Sequence, residues 1–155
     1  MINIEKDKYI IVELIPSHSD YCKGDVVQLS ALKLYGLQLI DRFDYRLDEK
    51  LIENKDLLNL ISYDKDSFKY TSDKTLIMKE FKKWSEKIPL LIIDNDYTKD
   101  YLSKLENNKE SIFNYLGMTI SNDVFDKIMN KYHLEPSDHL VDLLYESLIM
   151  ESNNK

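Results

Sequence analysis

One cysteine, Cys22, in 155 residues leaves no internal disulfide to form, which fits a reducing compartment and predicts a cytoplasmic protein. No early apolar segment has the length or flanks of a signal peptide or a membrane helix, so no membrane partner is expected. With three glycines and three prolines the chain has no Gly/Pro-rich linker, and it shows no internal repeat or low-complexity stretch. Basic residues are also short, 21 Lys and Arg against 28 Asp and Glu, a net charge of -7. That balance disfavours nonspecific nucleic-acid binding, whose affinity comes mainly from Lys and Arg on phosphates. Acidic nucleases escape the objection only when divalent ions bridge their carboxylates to phosphate, so the question of a metal decides the function class.

What is present is a folded, globular composition: 43% apolar residues with charges interleaved among them. The length predicts one domain over residues 1–155 with a full core, its last few residues disordered. The run Tyr9-Ile10-Ile11-Val12-Glu13-Leu14 reads as a buried central strand that closes on a single carboxylate. A charge is costly there unless something pairs with it, so Glu13 is a candidate site residue. Ile15-Pro16-Ser17 follows, with no second carboxylate.

Val26–Leu34 and Leu37–Tyr45 read as two further strands, joined at Tyr35-Gly36 in a tight hairpin that completes an antiparallel meander. A polar stretch separates the apolar cluster Leu57-Leu58-Leu60-Ile61 from a helix capped by Ser72 or Asp73. That helix carries Ile77, Phe81, Trp84 and Ile88 as one stripe and is stopped by Pro89. Leu90–Ile93 predicts a short buried strand, Tyr97 to Leu105 a helix, and Ile112–Leu116 another strand. Val124 to Tyr132 and a segment opened by Pro136-Ser137-Asp138, with Leu140, Val141, Leu144 and Leu148, predict two closing helices. The order is that of an α/β domain with a mixed central sheet flanked by helices.

In series these segments resemble the DEDD-type 3'→5' exonuclease domains, the proofreading or DnaQ-like branch of the ribonuclease-H-like fold. The likeness runs through Val26-Val27-Gln28-Leu29-Ser30-Ala31-Leu32-Lys33, Ile40-Asp41-Arg42-Phe43, the segment from Leu60-Ile61 to Thr71, Phe81-Lys82-Lys83-Trp84, Leu91-Ile92-Ile93-Asp94-Asn95, and Asp126 to Leu148. The resemblance implies a two-metal site built from four carboxylates. Glu13 stands at the first of these positions and Ile15 at the second. Four residues beyond Asn95, the third position holds Lys99, with Asp100 one residue late. At the last motif Asp138 precedes Leu143 by five residues, and a shift of one makes His139 precede Leu144. Both registers put leucine where a ligand belongs.

The resemblance therefore implies an inactive exonuclease-like domain, without cofactor, kept to bind a protein partner, with nucleic acid as the weaker candidate. The alternatives are a residual Mg- or Mn-dependent 3'→5' exonuclease using Glu13, Asp100 and Asp142, and a protein-only inhibitor or regulator. If the metal is lost, a cation is expected beside Glu13, and Lys99 is the residue the register offers. His18, His133 and His139 lack metal-ligand spacing, and Cys22 has no adjacent histidine. Tyr63, Tyr70, Tyr97 and Tyr101 could stack on bases, although tyrosine at element edges more often packs with a wet hydroxyl. Asp138, Asp142 and Glu146, four apart, form a solvated acidic face.

Overall fold

In a computed structural model the residues described are 1–16, 26–52, 68–118, 130–132 and 140–154. The expected meander forms: β1 (Lys8–Pro16), β2 (Val26–Tyr35) and β3 (Gln38–Leu47) pair antiparallel in sequence, Ile11 opposite Leu32 and Ala31 opposite Phe43. The turn rests on Gly36, whose φ of +60° suits glycine and whose missing Cβ would meet the Glu5 carbonyl at 2.5 Å. Strands β4 (Lys69–Thr71), β5 (Leu90–Ile92) and β6 (Lys109–Ser111) complete a six-stranded sheet ordered β4-β3-β2-β1-β5-β6. Pairing is parallel at β3–β4, β1–β5 and β5–β6, so β2 alone runs against the other five. The fold is α/β with a mixed sheet.

Alternation along β1 sends its side chains to two cores. Ile10 and Val12 join Leu29, Ala31, Phe43, Ile77, Phe81 and Leu102 on one face, under α1 (Leu76–Ser85) and α2 (Asp96–Leu102). Tyr9 and Ile11 join Leu32, Leu34, Leu91, Leu144 and Leu148 on the other, under α3 (Phe113–Leu116) and α4 (Leu140–Asn153). Glu13 continues the Tyr9–Ile11 side and so faces α4. No helix among the described residues is long and apolar enough to cross a membrane.

Several boundaries differ from the sequence reading. Asp73 does not cap α1; its Oδ1 accepts from the Thr75 N–H at 3.0 Å and hydroxyl at 2.8 Å, a local turn that delays the helix to Leu76. The helix ends at Glu86, with φ of +55°, before Pro89 can stop it, so Ile88 is buried from the following loop. Ile112–Leu116 is not a strand. Ile112, Phe113 and Leu116 lie three and four apart and are all buried, a helical spacing, and α3 ends at Gly117 with φ of +61°. The strand is the preceding Lys109–Ser111, and β4 lies within the stretch read only as polar. α4 runs to Asn153. Leu57 to Ile61 and Pro136 to Asp138 lie outside the described residues, as does Val124 to Met129.

Candidate functional site

The pairing register places Glu13 of β1, Ser30 of β2 and Asp44 of β3 in one row across the sheet. Opposed residues of an antiparallel pair share a face, and so do residues two apart on a strand. Arg42, Asp44 and Arg46 therefore stand on the side of Glu13, toward the first turn of α4. These are the only two arginines among the 21 Lys and Arg residues of the chain.

Glu13 is 6% exposed, and its Oε2 accepts from the Val141 N–H at 3.0 Å. That amide belongs to the opening turn of α4, where N–H groups lack helical partners and the helix dipole favours a carboxylate. Burial outweighs this help. Loss of solvation, reinforced by the charges of Asp142 and Asp44, pushes the Glu13 carboxyl up to about 7, against the opposing effects of the Val141 N–H and of Arg46.

The neighbouring carboxylates are already engaged. Arg42 grips Asp142 with both ends of its fork, Nη1 to Oδ1 at 2.7 Å and Nη2 to Oδ2 at 3.2 Å. Its Nε donates to Asp44 Oδ2 at 3.2 Å. Bidentate pairing of this kind fixes geometry as well as charge, and the bond to Asp142 holds the guanidinium well above its ordinary range. Arg46 is fully buried; its Nε and Nη2 donate to Gln28 Oε1 at 3.1 and 2.8 Å, and its guanidinium lies 3.8 Å from the centre of the Phe68 ring. Arg46 Nη1 and Asp44 Oδ1, two positions apart on β3, are buried without a hydrogen-bond partner.

The cation beside Glu13 is not Lys99. Lys99 points outward and pairs with Asp94 at 3.1 Å, while the positive charge that favours ionised Glu13 is Arg46. Asn95 is the N-cap of α2, its Oδ1 accepting from the Thr98 N–H at 3.0 Å. Asp100 is exposed on α2. Ile15 is half-buried against the α1 side of the sheet, and Leu143 is buried among the apolar residues under α4. Of the nominated residues, Glu13 and Asp142 are brought together. Glu13, Asp100 and Asp142 form no group that could hold a metal; among the described residues no three His, Cys, Asp or Glu do. His18, Cys22, Tyr63, His133, Asp138 and His139 lie outside the described residues. Tyr97 and Tyr101 pack against the α1-side core, and Tyr70 is exposed on β4.

The chain matches no protein-family model and no curated protein sequence. The chemistry of this site is therefore read from its geometry. A hard divalent ion needs several free oxygens converging on one point. Here both oxygens of Asp142 and one of Asp44 are held by Arg42, and Glu13 is drawn toward its neutral form. Among the described residues, these carboxylates do not make up a group of three that could hold such an ion. They form a carboxylate cluster neutralised from within by arginine.

Sequence reasoning missed Arg42, Asp44 and Arg46. Their signal was available in part: both arginines of a lysine-rich chain stand four apart with an aspartate midway, Arg42 and Asp44 inside the predicted strand Leu37–Tyr45 and Arg46 one residue past its end. Period-two alternation puts all three on one face.

Proposed function

We propose that the chain is a catalytically silent 3'→5' exonuclease-like module of the ribonuclease-H-like fold, retained to bind a protein partner in nucleic-acid metabolism. The observation that carries this reading is the arginine clamp. Beside Glu13, the one carboxylate standing where the resemblance implies a metal ligand, Arg42 holds Asp142 and Asp44, and the charge of buried Arg46 favours the ionised form of Glu13. Fixed guanidinium charge stands in for the charge that ions would bring. The meander β1–β2–β3, with β5 and β6 parallel to β1 on its other side, supports the fold assignment. The net charge of -7 favours a protein partner over phosphate.

Labelled single-stranded DNA and RNA, incubated with the protein and Mg²⁺ or Mn²⁺, should therefore release no mononucleotides. Release that disappears in Glu13→Gln would restore the residual exonuclease and remove the silent reading.

A further inference from the structure

Strand β3 is only partly covered. β4 pairs with Tyr45, Arg46 and Leu47, and among the described residues no strand pairs with the outer edge of Gln38–Asp44. Lys33 pairs with Asp41 and Leu34 with Leu39, so Ile40 is an extra, bulged residue. Such a bulge twists an edge and discourages the long flat contacts that build fibres. Beyond it, residues 41–44 remain a regular strand, with Leu39 and Ile40 exposed at 36% and 45% just before them.

Beside this edge runs a groove of about 520 Å³ between β3 and α1, lined by Phe43, Tyr45, Trp84, Lys69, Lys83 and Glu80 along with the edge itself. Its aromatic floor is fixed in place: Phe43 contacts Tyr45 and Trp84 at ring separations of 5.0 and 5.3 Å, and Trp84 Nε1 donates to Asp41 at 2.9 Å. The acids of β3 are used internally, Asp41 by Trp84 and Asp44 by Arg42. Lys69 and Lys83, one at each side of the groove, are exposed and make no ion pair among the described residues. Apart from the Arg42 N–H, which donates to Asp41 Oδ1 at 2.8 Å, this row of backbone donors and acceptors is complementary to another extended polypeptide and not to a base or a phosphate. Alternate side chains of an added strand would point into the groove.

We propose that the edge of β3 over Asp41–Asp44 is a docking site for an extended acidic segment of a partner protein, added beside β4. Apolar residues at alternate positions enter the groove over Phe43, Tyr45 and Trp84, and carboxylates meet Lys69 and Lys83. This rests on the reading of the chain as a protein-binding module and names the surface that binds.

The test uses a fluorescent peptide of alternating valine and glutamate, the same peptide with lysine for glutamate, and an acidic peptide N-methylated at every second residue. The acidic peptide should bind saturably, at least about tenfold tighter than either control. It should also protect the amides of residues 41–44 from hydrogen exchange. Lys69→Glu with Lys83→Glu, both at exposed positions, should reverse the preference between the acidic and lysine peptides.

The proposal fails if the acidic peptide does not saturate by about 1 mM or if N-methylation leaves its binding unchanged. It fails equally if oligothymidine binds through Lys69 and Lys83 and competes the peptide away. Concentration-dependent dimerisation abolished by Asp41→Pro would assign the edge to a second copy of the chain instead. The nuclease assay stands apart from these outcomes, since activity with the docking intact would remove only the silent-site reading.

Discussion

Replacing Arg46 with alanine lowers the free energy of unfolding by about 3–5 kcal/mol, the range for removing one member of a buried charged network. The side chain is fully buried, donates twice to Gln28 Oε1 and lies against the Phe68 ring. Its loss removes the packing and those bonds together. It also strips Glu13 of the positive charge that favours its ionised form. Arg46→Lys keeps a charge but not the planar fork that spans Gln28, so it recovers only part of the loss. Urea unfolding reads the effect as a lower midpoint at unchanged slope. A change below about 1 kcal/mol, the scale of an exposed ion pair, would show that Arg46 does not hold the site.

The second large effect depends on pH. Folding raises the Glu13 carboxyl from 4.5 to about 7, chiefly through burial. A group raised on folding holds its proton more tightly in the native state. Its contribution is fully present below about 4.5 and is lost as pH rises through about 7. At about 1.36 kcal/mol per unit, the loss comes to roughly 3 kcal/mol. Glu13→Gln keeps an oxygen for the Val141 N–H and never ionises. Its stability relative to the parent should therefore climb by roughly 3 kcal/mol between pH 4.5 and pH 8. Unfolding curves of the two proteins across that range check the sign, and a constant difference would mean that Glu13 titrates at its ordinary value.

The central strands were legible because burial writes itself into composition. Tyr9–Leu14 is apolar up to Glu13, and Leu37–Tyr45 alternates; both became strands within two residues of the predicted ends. β4 and β6 were not legible, since three-residue edge strands in which only Thr71 is buried carry neither an apolar run nor a full period. Ile112–Leu116 failed for the opposite reason, because a five-residue segment that is apolar but for Asn114 satisfies helix and strand alike. Glu13 was legible as a buried carboxylate, and its burial at 6% exposure follows from a central strand. Its counter-charge was not. Lys99 was reached by counting from Asn95 along one motif, whereas Arg46 reaches the site through strand pairing, Glu13 to Ser30 to Asp44, and stands two residues on from Asp44. No spacing within a single segment carries that information.

The measurement that bears most directly on the arginine-for-metal account is a titration of the protein with Mn²⁺ near neutral pH, following the paramagnetic resonance signal of the free ion. The account predicts no stoichiometric uptake up to about 1 mM, beyond which even weak all-oxygen protein sites would fill. It also predicts the same curve for the parent, Glu13→Gln and Arg42→Ala, because freeing Asp142 alone still leaves Glu13 buried and drawn toward neutrality. Uptake of one or two ions per chain by the parent, lost in Glu13→Gln, would contradict it.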